Sequence, residues 1–140
     1  MRTIIPLLIA ALLISACTPT TPPPASDTNP PSSSATIGDA DNGRQIFTQG
    51  VNQSPPCSTC HFVAKDQTGF ALGPNLAGIG EIAATRVEGM SAEEYLRQSI
   101  ADPRSYIVPG YRTEMYPDYA EHFSEQDFQD LIAYLMTLEG

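Results

Sequence analysis

Cys57-Ser58-Thr59-Cys60-His61 brings two thiols and an imidazole within five consecutive positions. C-x-x-C-H is the pattern by which a chain attaches a c-type haem. Thiols spaced by two residues reach the two vinyl groups along one porphyrin edge and close thioethers. The next residue then lies under the iron and offers an imidazole nitrogen. A bare CxxC also serves as a redox dithiol or as half of a zinc site. A structural zinc site needs about four ligands, and there is no second cysteine pair. A thioredoxin-like dithiol wants a βαβ setting, of which the pattern shows nothing. One covalently bound haem c is the chemistry expected of Cys57, Cys60 and His61.

The surrounding elements read as helices. Asp39 or Asp41 is placed to cap a short helix containing Gly43, Ile46 and Phe47. Ser91-Ala92-Glu93-Glu94 is a capping-box pattern, followed by Tyr95, Leu96 and Ile100 at helical spacing, and Pro103 ends that segment. Ser124-Glu125-Gln126-Asp127 begins another helix, with aspartate where glutamate or glutamine is usual. Phe128, Leu131, Ile132, Leu135 and Leu138 mark one face of it. Turns are expected at Gly69, Gly73-Pro74, Gly78, Gly80 and Pro109-Gly110, and no strand alternation is visible. An all-α fold of three to four short helices and long loops follows. Such helices make a poor core alone, so a large apolar group is expected at the centre.

Composition narrows the class. The 140 residues include 16 acidic and 7 basic side chains, a formal charge of −9. That balance excludes a nucleic-acid binder, which needs a basic face. Ile4 to Ile14 is an apolar run preceded by Arg2, too short for a bilayer span but of the length of a signal-peptide core. Ile14-Ser15-Ala16-Cys17 resembles a bacterial lipobox. That resemblance implies cleavage after residue 16, a lipidated Cys17, and work at the extracytoplasmic, periplasmic face of a membrane. The other reading is an ordinary secretory signal with an incidental Cys17. Residues 17–37 are then a Pro/Ser/Thr-rich tether. Its polyproline stretches extend by about 3.1 Å per residue, a reach of roughly 60 Å.

Residues 38–140 resemble a class I cytochrome c throughout. CSTCH is followed by Gly73-Pro74-Asn75-Leu76, a middle helix, a methionine loop and a last helix with Tyr134. The resemblance implies that Gly43, Phe47, Leu131 and Tyr134 form the contact between first and last helices. It also implies that the Pro74 carbonyl accepts the Nδ1–H of His61, the proximal ligand. The segment TQGVNQSPP between Phe47 and Cys57 departs from the compact family pattern and is expected to form a longer surface loop.

The same resemblance picks the second axial ligand. Met115 lies in the irregular stretch GYRTEMYPDY before the last helix, one residue from the Met-Pro usual there. Met90 falls too early, and Met136 lies on the last helix. His122 is the rival, giving bis-histidine ligation; otherwise it is a solvated histidine before the last helix. An open sixth site is the remaining alternative. Tyr106, Tyr111 and Tyr116 flank the loop, where their hydroxyls could reach haem propionates or the methionine sulfur. Of Arg86, Arg97, Arg104 and Arg112, one or two are expected near the propionates.

Two strong axial ligands leave no position for a substrate, so the reading is an electron-transfer protein, not an enzyme. The expected partners are redox proteins or a membrane oxidoreductase complex in a respiratory or photosynthetic chain, with no small-molecule substrate. The tail resembles cytochrome subunits of quinol-oxidising complexes such as alternative complex III. A haem-based sensor or enzyme with a displaceable sixth ligand is the alternative, and a structural subunit whose haem serves assembly is a third.

Overall fold

The computed structural model describes residues 38–140. The signal, Cys17 and the tether lie outside the described residues. Within them are no strands and five α-helices: α1 (Ala40–Gln49), α2 (Ile79–Arg86), α3 (Ala92–Ala101), α4 (Tyr119–His122) and α5 (Glu125–Met136). A 3-10 turn at Cys57–Thr59 separates α1 from α2.

Side-chain caps start the three longest helices. Asp39, not Asp41, caps α1 by accepting from the backbone N–H groups of Asp41 and Asn42. Ser91 and Glu94 form the expected reciprocal box on α3. On α5 the shorter Asp127 still closes a full box: the Ser124 N–H donates to its carboxylate at 2.8 Å.

The first and last helices form the main contact. A side chain at Gly43 would overlap the Asp130 carbonyl and press on Tyr134, so only glycine permits this approach. Phe47 and Tyr134 pack with ring centroids 5.5 Å apart, and Leu131 is 1% exposed. Ile46, Phe47, Tyr95, Leu96, Ile100, Phe128, Ile132 and Leu135 complete a continuous buried cluster across α1, α3 and α5. Each such side chain contributes about 1.5–3 kcal/mol on burial.

Three features differ from expectation. The helix count is five among the described residues, because Ile79–Arg86 is α2, not a turn. Gly78 enters it in the left-handed region (φ 67°), and Gly80 sits inside it against Met136. The short α4 is one turn long. Last, α1 runs on to Gln49, which shortens the expected loop to residues 50–56.

Candidate haem-binding site

The attachment motif is wound by its own backbone. Thr59 N–H donates to Pro56 O at 3.2 Å, Cys60 N–H to Cys57 O at 3.1 Å and His61 N–H to Cys57 O at 3.0 Å. Pro56 enters this turn from extended backbone. Cys57 and Cys60 are half-buried thiols, not joined in a disulfide. Burial pushes the Cys57 thiol up to about 11.

Two backbone bonds tie this turn to the Gly73–Leu76 segment: Gly73 N–H to Cys60 O at 3.0 Å and Leu76 N–H to Phe62 O at 2.8 Å. His61 Nδ1 lies 2.8 Å from Pro74 O. A carbonyl only accepts, so Nδ1 carries the proton and Nε2 keeps its lone pair. Burial lowers the His61 pKa, with the Pro74 bond opposing it. Burial thus favours the neutral imidazole, the form that binds a metal. Gly73 faces the ring so closely that a methyl group there would overlap it.

His61 and Cys60 share a two-lobed cleft with Met115. The lobe nearer α2 and α3 holds a cavity of about 140 Å³, against about 390 Å³ in the other. The walls of the first lobe are mostly apolar, built from Leu76 before α2, Ile79 of α2, Tyr95, Leu96 and Ile100 of α3, and Leu135 of α5. Leu72 and Ile107 also line it, each more than two-fifths exposed, as apolar surface that a flat hydrophobic group would cover. Arg86 and Arg112 line this lobe, and Arg104 lines the other. Arg97 lies elsewhere: it pairs with Glu125 and stacks 4.8 Å above the Phe128 ring.

The rival ligand residues have other employment. His122 Nδ1–H donates to Asn52 O at 2.8 Å, and its Nε2 accepts from the Tyr116 hydroxyl at 2.9 Å. It is thus a partly exposed histidine with both nitrogens hydrogen-bonded, and neither is left to face the cleft. The Tyr116 hydroxyl is spent on His122, not on a sulfur or a propionate. Tyr106 packs edge-on to Tyr95 at 5.8 Å, and Tyr111 is 40% exposed. Met90 packs against the core before α3, while Met136 ends α5 and is 41% exposed.

Two residues important to this geometry escaped the sequence reading. Gly73 was visible only as part of a turn; its contact with His61 depends on a fold. Asp130 is 2% exposed and accepts from Asp39 N–H (2.7 Å), Asn42 Nδ2 (2.6 Å) and Gln126 Nε2 (2.6 Å). An aspartate inside an amphipathic helix carries no signal for partners about 90 positions away.

The donor set fits a c-type haem: two thiols on one turn, an imidazole bonded through Nδ1, and a thioether in a largely apolar cleft that Arg86, Arg104, Arg112 and Glu114 also line. A comparison with curated proteins gives no match. The cytochrome c family model matches residues 40–139, a span holding all five helices, the motif and the cleft. That match covers well over half of the chain, which therefore belongs to the cytochrome c family.

Proposed function

We propose that this protein is a monohaem electron carrier held at the outer, periplasmic face of a bacterial membrane. The family's cofactor is haem c, covalently attached, with its iron, and haem-based electron transfer is the family's chemistry. When bound, the haem supplies a one-electron couple whose potential depends on axial ligands, burial and nearby polar groups.

The chain's residues divide the work. Cys57 and Cys60 would carry the thioethers. His61 offers Nε2, its ring oriented by the Pro74 carbonyl, which also raises its basicity. Met115 offers its sulfur from the same cleft, and a thioether ligand raises the potential. Arg86, Arg104 and Arg112 stand where they can offset propionate charge. The observation that carries this reading is His61, fixed through Nδ1 on Pro74, in one cleft with Met115 while His122 is committed elsewhere.

Lipidated Cys17 and the tether to residue 37 would keep the domain near membrane oxidoreductases and raise its effective concentration there. The formal charge of −9 favours a partner with a basic patch, whether a soluble redox protein or a fixed quinol-oxidising complex. Carbon monoxide added to the reduced protein at neutral pH tests the carrier reading. No spectral change is expected. Ready binding would replace this reading with a sensor or enzyme whose sixth ligand is displaceable.

A further inference from the structure

Residues 50–56, the part of the chain that departs from compact family spacing, make specific bonds to α4. Asn52 Nδ2 donates to His122 O at 2.9 Å, and His122 Nδ1–H donates back to Asn52 O at 2.8 Å. Asn52 takes the left-handed backbone this exchange requires (φ 48°), followed by Gln53 (φ 71°). A second strut runs from the Tyr119 hydroxyl to Pro55 O at 3.1 Å.

The first strut continues beyond α4. With Nδ1 protonated toward Asn52, His122 Nε2 is an acceptor and takes the Tyr116 hydroxyl at 2.9 Å. Tyr116 is bonded in sequence to Met115. Its ring meets Tyr119 edge-on at 5.1 Å, and both rings line the lobe that Met115 and Cys57 share. The loop, α4 and the methionine segment therefore form one closed circuit of hydrogen bonds and ring contacts.

We propose that Asn52, His122 and Tyr116 are positioning residues: the 50–56 loop braces the Met115 segment and resists displacement of the methionine by outside ligands. This rests on Met115 as the axial ligand. Opening that side of the cleft requires breaking the Tyr116–His122 bond or moving α4 away from the loop. Without the brace, the methionine segment moves independently of the attachment turn, and an incoming ligand competes against a weaker restraint.

Imidazole binding to the ferric holoprotein tests the brace, followed through the methionine-to-iron absorption band and compared with thermal melting. Tyr116→Phe removes one hydroxyl and leaves the ring packing. It should bind imidazole about fivefold more tightly, the scale of one net hydrogen bond, with its melting temperature only a few degrees below that of the parent. His122→Phe should behave likewise. His122→Gln, whose amide can both donate to Asn52 and accept from Tyr116, should stay within about twofold of the parent. Parental imidazole affinity in Tyr116→Phe and His122→Phe overturns the brace. So does tighter binding in all three variants that merely tracks loss of melting temperature. Met115→Ala separates the two levels: loss of the band there with parental Tyr116→Phe discards the brace alone, whereas a surviving band discards the ligand assignment beneath it.

Discussion

Gly73 lies against the imidazole of His61, leaving no room for even one more carbon between them. The same ring is held at its Nδ1 by the neighbouring Pro74 carbonyl. The backbone of two consecutive residues thus sets both the position and the tautomer of one histidine. Gly73→Ala should push the ring off Pro74, destabilise the holoprotein by roughly 1–3 kcal/mol, and alter the haem absorption spectrum. Thermal unfolding and visible spectra check this; a parental spectrum and melting point would mean that the ring has slack.

Asp130 anchors the start of α1 to α5. Burial alone would raise its pKa, but hydrogen bonds from Asn42, the Asp39 N–H and Gln126 outweigh it and hold the carboxyl below the usual range. The unfolded chain then binds this proton more readily than the folded one. The stabilisation is therefore full above the unfolded pKa of about 4 and is lost as pH falls through the lower folded value. Asp130→Asn should cost about 1.5–3 kcal/mol at neutral pH, the scale for hydrogen bonds to a charged group, and should flatten the acid side of the stability profile. Urea unfolding across a pH series measures both.

What could be read from the sequence was local. The α5 face from Phe128 to Leu135 and the boxes at Ser91 and Ser124 depend on neighbours three or four positions away, and they stand as expected. The Gly43–Tyr134 contact and the His61–Pro74 bond came through the family resemblance, not through periodicity. Helix α2 was hidden because Gly78 and Gly80 punctuate its start, although Gly78 supplies the left-handed entry. The loop partner of His122 and the α1 partners of Asp130 lie 70 to 91 positions away, and pairing over that distance is decided only when helices pack.

The proposed membrane attachment rests on Cys17 and has its own test. Cys17→Ala should move the protein from the membrane fraction to the soluble fraction while leaving the haem spectrum unchanged. Fractionation followed by haem staining reads both. Retention on membranes would place the attachment elsewhere in the chain.

A redox titration of the mature holoprotein beside its Met115→Ala variant tests the central claim most directly, that His61 and Met115 grip the iron of an electron carrier. Loss of the thioether should lower the midpoint potential by more than about 60 mV, a tenfold change in equilibrium for one electron. An unchanged midpoint would contradict it.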